Sequence, residues 1–338
     1  MLVARKGIHA RRNDGVPKAN ASQNERPAKQ SACTSLSAFQ KVGMCSTRSR
    51  LERCQLTETI NNAGTNRKIP TIFTFAFFMP IFYENQRKQK RREKMISVVG
   101  IGPGNLEQMT IEAEATVSKA DLVVGYGKYV ELVRRHFPQK NFFETGMMKE
   151  KERCLHALEE AESKNVALVC SGDSCVYGMA SLVMELAEGF PQVEIEIIPG
   201  VTAALSGGAI LGSPLTADFL VLSLSDHLTP KEKIEKRLKA SSLGDLSVAI
   251  YNPMSRTRPD ALKNACKILL EDRPGGTVCG YVRNIGRENT EYRICTLEEM
   301  QNAELDMFCT VFIGNSETKT IEINGRKYML NPRGYKID

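Results

Sequence analysis

Three short loops hold the residue types most able to do chemistry: Gly100-Ile101-Gly102-Pro103-Gly104, Ser171-Gly172-Asp173-Ser174-Cys175 and Pro199-Gly200-Val201-Thr202-Ala203. The first has the glycines of a nucleotide loop without its spacing. No G-x-G-x-x-G is present, and no Gly-Lys-Ser/Thr closes it. Pro103 also lacks the N–H that a phosphate cradle needs. Such a loop suits close backbone approach to something uncharged or positive, and a tight structural turn would use the same glycines. In the second loop, Gly172 permits a special backbone angle. Asp173 puts a carboxylate ahead of a helix expected to start near Tyr177 or Gly178, either for a ligand or as that helix's cap. In the third, Gly200 and its small neighbours let a ligand lie against the backbone with Thr202 as a hydroxyl partner, or let a helix pack closely on a strand. No triad and no zinc spacing appears, so hydrolase chemistry is set aside.

The elements that must hold these loops alternate strand and helix. "MISVVGIG", "DLVVG", "VALVCS" and "VEIEIIPG" read as apolar strands, separated by the helical patterns "TIEAEATVSKA", "KYVELVRRHF", "ERCLHALEEAESKN" and "GMASLVMELAEGF". That alternation predicts a parallel sheet covered on both faces, with ligands at the carboxyl ends of its strands. The small-residue helix "VTAALSGGAILGSPL" then crosses to a second half. There "FLVLSLS", "LSVAIYNP", "GTVCGYVRN", "EYRICT" and "CTVFIGN" read as strands, with "PKEKIEKRLKAS" and 259–270 as helices. The short connections late in this half predict a mixed sheet. The expected division is a leader over 1–94, an N-terminal α/β domain over 95–206 and a C-terminal α/β domain over 207–338.

The 338 residues carry a net charge of +7, but unevenly. Residues 1–94 hold 19 basic and 6 acidic side chains, leaving 27 basic and 33 acidic in 95–338. The basic character thus belongs to the leader, and the acidic remainder argues against a nucleic-acid enzyme. The leader lacks periodicity. Its apolar run over 69–83 is shorter than a bilayer crossing and holds Pro70 and Pro80. "RREK" directly before Met95 has purine-rich codons, as a translated ribosome-binding site would. We therefore expect the protein proper to start at Met95. The ten cysteines form no C-x-x-C pair, and those on apolar strands read as small buried hydrophobes of a reducing cytoplasm.

Taken in order and at their spacings, V-G-x-G-P-G, S-G-D-S-x-x-Y and P-G-V-T-A-A resemble the tetrapyrrole (corrin/porphyrin) methyltransferases. The resemblance covers essentially all of 95–338. "SLSDHLTP", "YNPMSRTRP", "YVRNIGRE", "TVFIGNS" and "NPRGY" narrow it to the branch that methylates C17 of precorrin-3B or its cobalt form, with ring contraction, in cobalamin biosynthesis. It implies a two-domain α/β fold, an N-terminal mostly parallel sheet and a C-terminal mixed one, with S-adenosyl-L-methionine bound in the cleft between. It also implies a homodimer. Cys175 stands where the family more often has a smaller residue, and the leader has no family counterpart.

The resemblance assigns the donor pocket to Pro103, Ser171, Gly172, Asp173, Val176, Thr202, Ala203, Tyr251 and Asn252, closed near Ile285. A sulfonium cation calls for carbonyls and a carboxylate, in keeping with Pro103 and Asp173. The acceptor is a flat macrocycle with carboxylate arms. Arg256, Arg258, Arg283 and Arg287 are expected beside the cleft, where guanidinium–carboxylate pairs would hold such arms. Asp226 is the candidate proton-handling group, with His227 second. No resident metal is expected. The rivals are a sibling corrin methylase acting at another carbon, a ribosomal-RNA or protein methylase on the same scaffold, a nicotinamide dehydrogenase and a membrane-tethered binding protein. "DLVVGYGKY" lacks the acidic ribose partner of a dehydrogenase, and the last rival rests on 69–83 alone.

Overall fold

The structure, a computed structural model, describes residues 94–336. All of the expected leader except Lys94, including the apolar run over 69–83, lies outside the described residues.

The first sheet contains β1 (Met95–Gly100), β2 (Leu122–Tyr126), β3 (Asn141–Thr145), β4 (Asn165–Cys170) and β5 (Glu194–Ile198). Every pairing is parallel, in the order β3-β2-β4-β1-β5. Alternating side chains divide its core into two. Val99, Val123, Ala167 and Val169 face Ala113, Val117, Val130 and Val133 of α1 (Ile111–Lys119) and α2 (Gly127–His136). Val98, Val124 and Leu168 face Cys154, Ala157, Leu158 and Ala161 of α3 (Glu150–Ala161), and Ala180 and Val183 of α4 (Ala180–Leu186). The α3 set recurs at three- and four-residue intervals, the apolar stripe that seats a helix on a sheet. Thr110 starts α1 by accepting the Ala113 N–H at 3.1 Å.

Helix α5 (Ala203–Leu211) leads through the short β6 (Gly212–Ser213) to the second sheet. This sheet holds β7 (Phe219–Ser223), β8 (Ser247–Tyr251), β9 (Val278–Arg283), β10 (Glu291–Thr296) and β11 (Cys309–Ile313), in the order β10-β9-β11-β8-β7. It is mixed, as expected: β7 and β8 run parallel and the other neighbours antiparallel. One face buries Leu222, Val248, Ile250 and Val311 against α6 (Lys231–Leu243), α7 (Ala261–Leu269) and α8 (Leu297–Met300). The other buries Ala249, Val282 and Phe312 against Ala204 and Leu211 of α5. The anticipated division at 206/207 therefore falls inside one helix whose buried face packs on the second sheet. A third small sheet joins β12 (Lys319–Ile323), β13 (Arg326–Leu330) and β6.

The strand cysteines behave as apolar side chains. Cys170 and Cys279 are buried, and burial raises both thiol pKa values. Among the described residues no group of His, Cys, Asp and Glu could hold a metal ion, and no helix is long and apolar enough to cross a membrane.

Candidate active site

The three loops singled out by sequence meet at the carboxyl end of the first sheet, the first two joined by backbone and the third by a side chain. Gly102 and Gly172 exchange two hydrogen bonds, Gly102 N–H to Gly172 O at 3.0 Å and the reverse at 2.7 Å. A Cβ on Gly200 would stand 2.2 Å from Gly172 O and 2.6 Å from Gly100 C. Close loop packing is therefore what requires glycine at 200.

Asp173 holds the second and third loops together. Its Oδ1 accepts the N–H groups of Cys175 at 2.8 Å and Val176 at 3.0 Å, and its Oδ2 accepts Gly200 N–H at 2.9 Å. The carboxylate thus acts as a turn-former and a tie between loops rather than as a helix cap. The following helix, α4, begins only at Ala180, later than expected.

A cleft opens between these loops and those of the second sheet. Pro103, Ser171, Gly172 and Val176 line one wall, Thr202 and Ala203 the base of α5, and Tyr251, Asn252, Ile285 and Arg287 the other wall. The Tyr251 hydroxyl accepts Ala204 N–H at 2.7 Å and shares a 2.5 Å hydrogen bond with Thr202 Oγ1. Burial raises the Tyr251 pKa, against those two hydrogen bonds. Asn252 Nδ2 donates to Ser223 Oγ at 3.0 Å. Three non-glycine residues lining the cleft have left-handed backbone: Tyr177 (φ 55°), Asn252 (φ 51°) and Asn284 (φ 53°). Asparagine tolerates that region; for Tyr177 it is strain, of the kind that gathers at functional sites.

A model of the "Tetrapyrrole (Corrin/Porphyrin) Methylases" matches residues 95–301. The chain belongs to the tetrapyrrole (corrin/porphyrin) methylases. A Salmonella typhimurium protein named "Probable cobalt-factor III C(17)-methyltransferase" is 41% identical over 245 residues, covering 72% of this chain and 100% of the relative. A Methanocaldococcus jannaschii protein of the same name is 43% identical over 250 residues, covering 71% and 98%. The crystal structure of the methyltransferase CobJ is 34% identical and superposes with a TM-score of 0.64, covering 69% of this chain and 98% of that one.

The other charged residues expected at this methylase cleft do not line it. Asp226 lies in a separate hollow between α6 and α7, within 3.4 Å of Arg258 Nε and 3.6 Å of Lys231 Nζ. Arg258 also donates to Leu224 O at 2.7 Å, so it ties the loops after β7 and β8 together. Arg283 pairs with Glu291 at 3.2 Å and Asp306 at 3.5 Å. Arg256 and His227 are exposed. The charges of Arg258 and Arg283 are taken up by neighbouring carboxylates, which sequence spacing does not reveal. Only Arg287 of the four arginines reaches the methylase cleft.

Tyr126, Tyr129, Asn284 and the Met307–Thr310 segment also line the cleft, outside the residues that the motifs point to. Tyr126 ends a parallel strand and Tyr129 opens the helix after it, so both are within reach of the strand-end rule. Cys309 opens an antiparallel strand and pairs with Arg283 at the carboxyl end of β9. A rule built on parallel strands overlooks such a residue.

Proposed function

We propose that this methylase transfers a methyl group from S-adenosyl-L-methionine to C17 of precorrin-3B or cobalt-factor III, with ring contraction, in cobalamin biosynthesis. The names of the two relatives support the acceptor. The observation that carries the donor reading is convergence: nine of the ten residues assigned to the donor line one cleft, and the tenth, Asp173, folds its wall.

The lining suits an amphipathic donor. Tyr126, Tyr129 and Tyr251 offer aromatic surface for a purine, Thr202 and Ser171 offer hydroxyls, and Gly172 and Ala203 leave backbone accessible. The donor supplies an electrophilic methyl: a ring carbon forms the new C–C bond as the S–CH3 bond breaks and its electron pair stays on sulfur. The chain's own contribution is position. Tyr251 fixes the start of α5 through Ala204, Asn252 is held by Ser223, and the loop stitching holds the opposite wall. Alignment of this kind supplies roughly 7–11 kcal/mol of barrier lowering in favourable cases. The resemblance further implies a homodimer, and the buried strand cysteines suit a reducing cytoplasm; analytical ultracentrifugation of the full chain checks the dimer, and a monomer would remove it.

The test incubates the full chain with methyl-labelled S-adenosylmethionine and either precorrin-3B or cobalt-factor III. Label at C17 of one acceptor is the expected result. Label at another ring carbon would move the enzyme to a sibling reaction, and no label on either would overturn the reading.

A further inference from the structure

Arg287 differs from the other arginines near the site in having no acid to answer it. Among the described residues no carboxylate lies within 4.0 Å of its guanidinium, and the adjacent Glu288 is paired with Arg135 at 3.1 Å. Its Nε donates to Pro103 O at 3.3 Å and its Nη2 to Ser171 Oγ at 3.2 Å. Nη1 has no hydrogen-bond partner among the described residues. The guanidinium lies over the Phe308 ring, 5.5 Å from its centroid.

The stem runs along a prepared track. Gly104 has φ +154°, and a Cβ there would lie 2.8 Å from Arg287 Cγ. A half-buried cation on that track is partly stripped of water, and burial lowers the Arg287 pKa, opposed by the Tyr129 phenol. Such a charge calls for an anionic partner. The partner's identity follows from where the guanidinium rests. Pro103 and Ser171 belong to the donor wall, on the first sheet's loops, whereas Arg287 comes from the loop after β9.

We propose that Arg287 receives the α-carboxylate of the methyl donor, rather than a carboxylate arm of the acceptor, and that this pairing draws the loops of the two sheets together over the donor. The assignment rests on the donor reading above and deepens it. In this role Arg287 touches the donor far from its reacting methyl, so it sets donor affinity and closure.

Two ligands differing in the carboxylate test it: S-adenosylhomocysteine, and 5′-methylthioadenosine, which lacks the whole amino-acid end. Calorimetry on the full chain compares the unsubstituted protein with Arg287→Met and Arg287→Lys. Arg287→Met should weaken S-adenosylhomocysteine roughly ten- to hundredfold, the span of a lost charged hydrogen bond, while methylthioadenosine changes by less than about twofold. Arg287→Lys, keeping the charge without the fork, should recover part of the loss. Equal weakening of both ligands would overturn the proposal, since the damage would then be to the wall. So would unchanged S-adenosylhomocysteine affinity with a raised KM for the acceptor, which would return Arg287 to the acceptor's arms. If the unsubstituted chain binds neither ligand, the donor reading itself falls and takes this assignment with it.

Discussion

Asp173 shows how one carboxylate can hold the wall of a cleft together without lining it. Both oxygens are engaged by backbone N–H groups, two from its own loop and one from Gly200. Removing the carboxylate leaves three donors without a partner beside the cleft. Hydrogen bonds to charged groups contribute about 1.5–3 kcal/mol each, and the replacements compete with water here, so Asp173→Ala should cost about 2–4 kcal/mol in all. Urea unfolding should show this as a lower midpoint at unchanged slope, with weaker donor binding as a consequence. Lost donor affinity at full stability would instead put the carboxylate in contact with the donor. The loop was legible in "SGDS", because Gly172 permits a special backbone angle and Asp173 sets a carboxylate at a strand end. The aim of the acid was not, since one residue suits either a ligand or a turn until Gly200 is placed beside it.

At the scale of elements, the strands and helices that bury a continuous face were readable from the sequence. β1 and β4 are buried along almost their whole length, and α3 shows its stripe at Cys154, Ala157, Leu158 and Ala161. β3, β12 and β13 carry no such face and are not legible as strands in the sequence. Each is a largely solvated edge or hairpin strand, and neither "NFFET" nor "KTIEI" has a fully buried side chain, although Phe142 and Phe143 pack partly on the two cores. The tight fit of the three loops was equally hidden, because a glycine needed for backbone clearance looks like one needed for a ligand. Gly200→Ala separates these uses. With Gly172 O only 2.2 Å from the new methyl, the loops must move, and overpacking of this kind costs typically about 1–3 kcal/mol. Thermal unfolding should register that loss. Gly189→Ala, where nothing lies within 4 Å, should leave the melting temperature nearly unchanged. A Gly200→Ala protein as stable as the parent would show that the stitched loops are free to separate.

Across the whole molecule the two sheets place their apolar cores apart and their chemistry together. The two halves meet through a few cross-contacts, among them Arg287 on Pro103 and Ser171, Arg135 of α2 on Glu288, and the Tyr177 hydroxyl donating to Val221 O of β7 at 3.4 Å. The cores carry a consequence for pH. Burial raises the thiols of Cys154 and Cys170 in the first, and of Cys266 in the second, from an ordinary value near 9.0 to about 12. Below about pH 9 these thiols are protonated whether the chain is folded or not, so they leave stability unchanged as pH varies there. Between about 9 and 12 the unfolded chain releases protons that the folded chain retains. Stability then falls as pH rises, by up to about 1.4 kcal/mol per pH unit for each thiol. Cys279 and the phenols of Tyr129 and Tyr251 are shifted in the same direction and add to the fall. Urea midpoints of the full chain should therefore change little from these groups between about pH 7 and 8.5 and drop steeply above 9. Native alkylation at mildly alkaline pH should mark the exposed Cys175 ahead of Cys154, Cys170 and Cys266, which should react only after denaturation. Fast labelling of those buried three in the folded protein, with a midpoint unchanged to pH 11, would contradict dry, thiol-bearing cores beneath the cleft.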